Sequence, residues 1–163
     1  MIIIGVGGNI PFGSMSVPAT LNAALDAFSA YGIRIHKRSS FYHSKPVPAS
    51  DQPWFFNAVV SCTTELSPQE LLRALLSIEQ KFGRMRSVKN AARTLDLDII
   101  DYDGKIIFDN ELEIPHPRLA SRAFILLPLM EIAPDWKHPQ SGIPIADLVK
   151  ALTDETLVNT KKL

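Results

Sequence analysis

Four segments of the chain have the hydrophobic and polar pattern of β-strands. Residues 1–9 form an apolar run that ends on Gly7 and Gly8. Residues 33–42, 54–62 and 95–102 alternate with the period of two that is typical of a strand. A loop with three prolines, 44–53, separates the second segment from the third.

Two segments have helical spacing instead. Four apolar residues recur at this spacing between Leu21 and Tyr31, and Gly32 follows as a stop signal. Residues 67–70, Ser-Pro-Gln-Glu, form a capping box with proline at the first helical position. This box predicts a second helix that continues to about residue 81 or 82 and ends at Gly83.

The element order through residue 102 is β-α-β-β-α-β, which predicts an α+β fold. It is the ferredoxin-like arrangement, an antiparallel sheet with both helices on one face. Asp103-Gly104 is a hairpin signal that predicts pairing of the residues before it with 105–108. The C-terminal third adds this hairpin and short helices near 122–132 and 145–151. No repeat or linker interrupts the chain, so we expect a single domain, 1–163.

The strand period separates two faces of the predicted sheet. Between residues 54 and 62, the helix-covered face takes the even-numbered positions, all apolar, and the opposite face takes Phe55 and Asn57. Asp96 and Asp98 share the phase that faces away from the two helices. We therefore expect both acids near Phe55 and Asn57.

Composition and charge exclude several classes of protein. Hydrophobic residues are 46% and charged residues 21% of the chain, which is ordinary for a soluble globular protein. The net charge is zero, from 17 basic and 17 acidic residues, and argues against a general nucleic-acid or membrane-surface binder. Cys62 is the one cysteine, so neither an intrachain disulfide nor a CxxC metal site can form. No signal-peptide or membrane-spanning pattern is evident, and we expect a cytoplasmic protein.

The acid pair is the first candidate for chemistry. Side chains two positions apart on one strand face lie about 6.5–7 Å apart, so Asp96 and Asp98 can converge on one or two divalent ions. Oxygen ligands favour Mg²⁺ over zinc. The plain alternative is a solvated strand face with two ordinary acids.

A basic loop directly precedes the acids. Arg84, Arg86, Lys89 and Arg93 fall within ten residues, and arginine binds phosphate oxygens bidentately. Together with the acid pair they indicate a nucleoside triphosphate site. The alternative is a flexible, solvated loop whose charges offset the aspartates.

Other candidates are less specific. Glu79 falls inside the apolar arc of the second helix and needs a partner or a shifted pKa, for which a structural salt bridge is sufficient. Phe55 and Asn57 could stack on and read a flat heterocycle, or be one core residue and one sheet-edge residue. His116 and Arg122 could extend a phosphate clamp, although a loop histidine is usually only exposed. The glycines of GVGG (5–8) lack the dinucleotide fingerprint and are better read as a tight turn.

One segment resembles a known family signature. KNAARTLDLDII (89–100) is similar to the signature of the 6-hydroxymethyl-7,8-dihydropterin pyrophosphokinase (HPPK) family, in which Asp-aliphatic-Asp follows an arginine after two residues. Segments similar to other family motifs occur in the family's order: GGN, SSFYHSKPV, DQPWFFNAV, IEQKFGRMR, IPHPRLASRAF and PLMEIAPDW. The loop differs at 90–92, Asn-Ala-Ala, where many relatives have an aromatic residue followed by Gly-Pro.

The resemblance implies an activity and residue roles. It implies transfer of pyrophosphate from ATP to the pterin hydroxymethyl group in folate biosynthesis, with release of AMP, two Mg²⁺ ions and usually a monomer. Asp96 and Asp98 match metal ligands, and Arg84 and Arg93 match arginines that support transfer. The implied ATP contacts are Arg84, Arg86, Arg93, Ile99, His116, Arg122 and Glu79. The implied pterin contacts are Ser44, Val47, Phe55, Asn57, Asp96 and Phe124, with the two phenylalanines on either side of the ring.

Two other function classes stay open at this point. A metal-dependent phosphohydrolase or nucleotidyl transferase would use the same acids but release phosphate or pyrophosphate. A ferredoxin-like RNA-binding module is disfavoured by the zero net charge and by the missing basic and aromatic strand signature.

Overall fold

The computed structural model describes residues 1–85 and 88–163. The strands in these ranges are β1 Ile2–Gly8, β2 Ile33–Arg38, β3 Tyr42–Ser44, β4 Phe55–Thr64, β5 Asp96–Tyr102, β6 Ile107–Phe108, β7 Glu113–Ile114 and β8 Thr160–Lys162. The α-helices are α1 Val17–Asp26, α2 Pro68–Lys81, α3 Ala123–Ile132, α4 Ile145–Lys150 and α5 Asp154–Val158. In the part of the chain that is described, no helix has the length and apolar character needed to cross a membrane.

Six strands form one antiparallel sheet in the order β5-β1-β4-β3-β8, and β2 also pairs with β4. Strands β2 and β3 are therefore successive partners of β4. The single strand predicted over 33–42 is interrupted between them at Ser39, whose N–H donates to the Val59 carbonyl while its hydroxyl accepts from the Val59 N–H.

Helices cover the sheet on both sides. Helices α1 and α2 pack on one face, where Ile4, Val60 and Leu97 are buried in a core shared with both helices. This confirms the predicted position of these helices. The sequence predicts only that the opposite face lacks α1 and α2. In the structure this face packs against α3 and α4 through Ile3 and other apolar residues. This second layer covers part of that face, and the remainder carries the polar side chains of the predicted site.

The signals at the helix ends are confirmed. The Ser67 hydroxyl accepts from the Glu70 N–H at 3.2 Å, and the Glu70 carboxylate accepts from the Ser67 N–H at 2.7 Å. Gly83 follows α2 with a φ of 80°. The first helix changes to a 3₁₀ turn over Ala27–Tyr31 before it ends at Gly32, which has a φ of 74°.

The predicted hairpin partner is wrong. Asp103 and Gly104 do form a tight turn, with φ values of 51° and 71°. The residues that follow do not extend the sheet beside β5, because β6 pairs with β7 instead. This local hairpin buries Leu112 and Ile114 in the core beside α2, which a continued pairing with β5 would leave without cover. The sequence reasoning also missed α5 and β8.

Candidate active site

The strand register brings the predicted acids beside the predicted amide. Asp96 lies opposite Gly7 in β1, and Gly7 lies opposite Asn57 in β4. Asp98 lies opposite Gly5 in the next row of the same face. The expectation that both acids lie near Asn57 is confirmed.

These residues line a cleft on the part of the sheet that α3 leaves uncovered. It contains nine of the residues predicted from the sequence. The lining residues are Gly5, Val6, Gly7, Ser44, Lys45, Val47, Phe55, Asn57, Asn90, Arg93, Asp96, Asp98, Arg122, Phe124 and Ile125. The predicted contact Arg86 lies outside the described residues.

The floor of the cleft is bare backbone. A Cβ atom at Gly7 would lie 3.0 Å from the Asn57 side-chain oxygen, and one at Gly5 would lie 3.2 Å from the Ile125 methyl group. A Cβ atom at Gly8 would lie 2.6 Å from the Thr94 carbonyl oxygen. The interpretation of these glycines as a turn is wrong, because they lie within β1. The missing side chains of Gly5 and Gly7 instead leave room between the acids and the amide, and that of Gly8 lets the Thr94 backbone pack closely.

The two aspartates have different environments. Asp96 accepts a hydrogen bond from Arg84 Nη1 at 3.1 Å and one from Arg93 Nη1 at 2.8 Å. Burial and the neighbouring Asp96 charge raise the pKa of Asp98 to about 7, against the opposing effect of Arg122. Two adjacent carboxylates whose mutual repulsion raises a pKa are a suitable donor set for a divalent cation. Asp96 and Asp98 therefore fit the Mg²⁺ that the family resemblance implies.

The loop arginines fold back onto the acids. The side chains of Arg84 and Arg93 are only 11% and 19% exposed, so the alternative of a solvated loop is wrong for both residues. Arg84 also donates to the Leu95 carbonyl, and the Arg93 guanidinium lies 5.8 Å from the ring centroid of Phe55. Arg93 lines the cleft beside Asp96, whereas Arg84 contacts Asp96 but is not among the described residues that line the cleft.

Arg122 adds positive charge to the cleft, whereas His116 is not among the described residues that line it. Burial and the nearby charge of Arg122 lower the pKa of His116 to about 4, so this histidine is neutral at pH 7. Its Nδ1 accepts from the Arg118 N–H at 3.1 Å, which leaves Nε2 as the donor. The Arg122 guanidinium lies 5.6 Å from the ring centroid of Phe124, and burial lowers its pKa although Asp98 opposes this.

Asn57 is held in one orientation. Its Nδ2 donates to the Ser44 hydroxyl at 2.7 Å, and both residues are buried. The side-chain oxygen of Asn57 is therefore directed to the side of Gly7 and the cleft. Phe55 is half-buried at the edge of the same cleft, not a core residue.

Glu79 and Ile99 lie on the other side of the sheet. The Glu79 carboxylate is 1% exposed and accepts from the backbone N–H of Leu97 at 2.8 Å. Ile99 is buried in the core beneath α1 and α2. Neither side chain is among the described residues that line the cleft. Glu79 thus braces the edge strand that carries the acids.

Asn9 is a site residue that the sequence reasoning missed. Its side-chain oxygen accepts from the Arg93 N–H at 2.8 Å, and its amide donates to Gln52 and to the Pro53 carbonyl. Gln52 in turn donates to the Asn90 carbonyl at 2.7 Å. Asn9 therefore joins the end of β1 to both loops that border the cleft. Its sequence signal is its place at the end of GGN, one of the segments similar to family motifs, although no role was assigned to it.

Comparison with known proteins identifies the family of the chain. The family model 7,8-dihydro-6-hydroxymethylpterin-pyrophosphokinase (HPPK) matches residues 3–134. The chain belongs to the HPPK family. A relative from Synechocystis, named 2-amino-4-hydroxy-6-hydroxymethyldihydropteridine pyrophosphokinase, is 44% identical over 149 residues, which cover 91% of this chain and 74% of the relative. A Haemophilus influenzae protein of the same name is 45% identical over 85% of this chain and 86% of its own length.

Solved structures show the same fold at low identity. Wild-type Plasmodium falciparum HPPK-DHPS is 16% identical, with a TM-score of 0.71 over 91% of this chain. A variant of that protein crystallised with pterin and p-hydroxybenzoate gives a TM-score of 0.75 over 99% of this chain, again at 16% identity. The HPPK chain described here spans less than half of these solved chains, 43% and 46%.

Proposed function

We propose that the cleft transfers pyrophosphate from ATP to 6-hydroxymethyl-7,8-dihydropterin, giving AMP and the pterin diphosphate for folate biosynthesis. The observation that carries this proposal is a single cleft lined by the acid pair, two arginines, an oriented amide and two phenylalanines. Membership of the HPPK family supports the same reaction.

The amide end of the cleft suits a flat pterin. Because Asn57 donates to Ser44, its oxygen is available to accept from an N–H of the heterocycle. Phe55 and Phe124 supply aromatic faces for stacking, and Val47 closes the loop side of the cleft. The glycine floor lets the ring lie close to β1.

The acidic end suits a metal-bound polyphosphate. We propose that Asp96 and Asp98 hold Mg²⁺, two ions as in the family expectation. When bound, Mg²⁺ neutralises phosphate charge and fixes the orientation of the transferred group. Arg84 and Arg93 would exchange part of their contact with Asp96 for phosphate oxygens, and Arg86 and Arg122 would add further contacts. His116, neutral at pH 7, would donate from Nε2.

The reaction requires position and charge more than a nucleophilic residue. The pterin hydroxyl oxygen forms a bond to the β-phosphorus, the bond from that phosphorus to the α,β-bridging oxygen breaks, and AMP leaves. The hydroxyl proton goes to solvent. A weak nucleophile gains most from in-line placement and from cations at the developing phosphate charge. Ile99 would contact ATP through its backbone in β5. Glu79, from α2, would support the ATP site by bracing that strand.

The remaining proposals concern the whole chain. We propose a ferredoxin-like core, supported by the order β5-β1-β4 with β2 and β3 along the other edge of β4. We also propose that residues 1–163 act as one domain, as a monomer in the cytoplasm.

An assay with ATP, Mg²⁺ and the hydroxymethyl-dihydropterin tests the function. We expect AMP to form in equal amount to the pterin diphosphate, and none to form without the pterin. Release of phosphate or pyrophosphate independent of pterin would contradict the proposal and identify a phosphohydrolase or nucleotidyl transferase.

A further inference from the structure

The C-terminal segment, residues 153–163, lies outside the residues matched to the family model, yet it lines a cavity next to the cleft. Strand β8 pairs antiparallel with β3, with Thr160 opposite Ser44. The Lys45 N–H donates to the Asn159 carbonyl at 3.0 Å. The backbone that carries Ser44 is therefore held by β4 on one side and by β8 on the other.

This segment adds little to the hydrophobic core. Within the described ranges, neither apolar cluster nor the residues packed against it include a side chain after Leu152. The contacts of β8 are polar instead. Lys162 pairs with Glu131 of α3 at 3.3 Å, and the same carboxylate accepts from the Tyr42 hydroxyl of β3 at 2.9 Å. A segment with this arrangement fixes β3 locally, and its loss should not unfold the sheet.

The position of β8 matters because of what Ser44 does. Ser44 and Thr160 are buried neighbours on the two strands, 3% and 9% exposed. The Ser44 hydroxyl accepts from Asn57 Nδ2 and so leaves the side-chain oxygen of Asn57 facing the cleft. Val47 and Thr160 both line a neighbouring cavity, together with Arg122 and Phe124, which also line the cleft. The segment is therefore the outer support of the wall that faces the amide end of the cleft.

We propose that β8 is a positioning element for pterin recognition, acting through Ser44 on the orientation of Asn57 and through Lys45 on the Val47 wall. This role rests on the proposed function of the cleft. It predicts that β8 affects binding of the pterin and not binding of ATP, because the acids and loop arginines are held by β1, β5 and α2.

The hydrogen-bond pattern provides a matched pair of variants. The Lys45 N–H donates to the Asn159 carbonyl, and the Leu163 N–H donates to the Phe41 carbonyl. Because the N–H groups along an antiparallel strand face its partner at every second residue, the Lys161 N–H faces β3 and the Lys162 N–H faces away. Lys161→Pro removes a bond of the ladder, whereas Lys162→Pro removes none. Lys162→Ala accounts for the lost ion pair with Glu131, and Lys161→Ala, which should bind the pterin like the parent, accounts for the lost contact of Lys161 with the Trp54 ring.

The test measures binding of 6-hydroxymethylpterin by fluorescence titration, with Mg²⁺ and a non-hydrolysable ATP analogue present. We expect Lys161→Pro to raise the pterin Kd about tenfold, ~1.4 kcal/mol, and to leave the Kd of the analogue within about twofold. Both Lys162 variants should keep the pterin Kd within about twofold of the parent value. A chain that ends at Asn159 should show the same difference between pterin and analogue as Lys161→Pro.

Two results would overturn the role of β8. One is an unchanged pterin Kd in folded Lys161→Pro and in the shortened chain. The other is an equal loss of pterin and analogue binding, or unfolding of both Lys161→Pro and the shortened chain. Either outcome would show that the segment is a general structural support. Binding is measured without turnover, so a parent protein that binds pterin but forms no AMP would contradict the proposed reaction alone.

Discussion

The two faces of the central sheet differ in what the same strands present. On the α1 and α2 face, Ile4, Val60 and Leu97 form a continuous buried core. On the other face, the neighbouring positions of β1 are Gly5 and Gly7, and α3 covers only part of the surface. Because successive side chains of a strand point to opposite faces, one set of positions forms the stabilising core and the alternate set forms the proposed active site.

The comparison also shows where the cost of the site lies. The core face contains apolar groups that gain by burial. The cleft face brings together two carboxylates, one of which has a raised pKa, and glycines that contribute no side-chain contact. The cleft face therefore depends on the core face for its stability. We expect substitutions on the core face to lower mainly stability and substitutions on the cleft face to lower mainly activity.

The largest expected effect is loss of turnover on removal of an acid. We expect Asp98→Ala or Asp96→Ala to reduce kcat at least about a thousandfold, ~4 kcal/mol, because each carboxylate is proposed to hold Mg²⁺. The AMP assay measures this, and circular dichroism should show the parent fold. Leu97→Ala, between them on the core face, is the matched control. It should lower the stability by about 2–5 kcal/mol and retain activity while folded.

Near-normal turnover in either aspartate variant would remove the basis for the metal assignment. A loss of turnover in Leu97→Ala at temperatures where it is folded would show that the two faces are not separable.

Arg93 should affect transfer more than binding. We expect Arg93→Ala to lower kcat about a hundredfold, since its guanidinium is proposed to stabilise phosphate charge that develops during transfer. The pterin Kd should change by less than about threefold, because the Arg93 guanidinium lies 5.8 Å from the Phe55 ring centroid, near the outer limit of a cation–π contact. Lys89→Ala, an exposed cation of the same loop, is the control with unchanged kcat. Equal losses in kcat and in pterin affinity would contradict a role in the transition state.

The glycine floor gives a smaller and more local effect. A Cβ atom at Gly7 would press on the Asn57 oxygen, which Ser44 prevents from turning away. We expect Gly7→Ala to raise the KM for the pterin about tenfold and to leave the KM for ATP within about twofold. Gly5→Ala meets the tips of the Ile125 and Ile100 side chains, which can adjust, and should raise the pterin KM by less than about threefold. Equal effects of the two substitutions would show that room at the floor, not the amide, determines pterin binding.

Much of the fold and site could be predicted because the signals are local. The capping box, the stop glycines and the strand period act within a few residues, and they located α2, β5 and the phase of the acids correctly. A strand phase is sufficient to bring Asp96 and Asn57 onto one face, since both strands pair with β1.

The features that were missed depend on contacts distant in sequence. The glycines of β1 resemble a turn until two neighbouring strands and Ile125 are placed against them. The three residues of β8, Thr-Lys-Lys, have no apolar alternation, and only pairing with β3 makes them a strand. Asn9 has no local signal for its three partners, which come from two separate loops.

The smallest effect is a dependence of stability on pH that is confined to the cleft face. Because the pKa of Asp98 is raised from 3.8 to about 7, the folded chain binds a proton there that the unfolded chain has lost, over the range between these values. Stability from this group therefore falls as pH rises through about 7. Without Mg²⁺, we expect Asp98→Asn to melt a few degrees above the parent at pH 8, with a difference that narrows towards pH 5.

Thermal melts with EDTA at several pH values measure this difference, and Asp135→Asn, an exposed residue after α3, is the control that should follow the parent at every pH. Added Mg²⁺ should raise the Tm of the parent at pH 8 and have little effect on Asp98→Asn, because the cation offsets a repulsion that the amide has already removed. A gap between Asp98→Asn and the parent that stays constant from pH 5 to pH 8 would mean that packing, not charge, separates them. The cleft would then have no electrostatic cost for a metal to relieve.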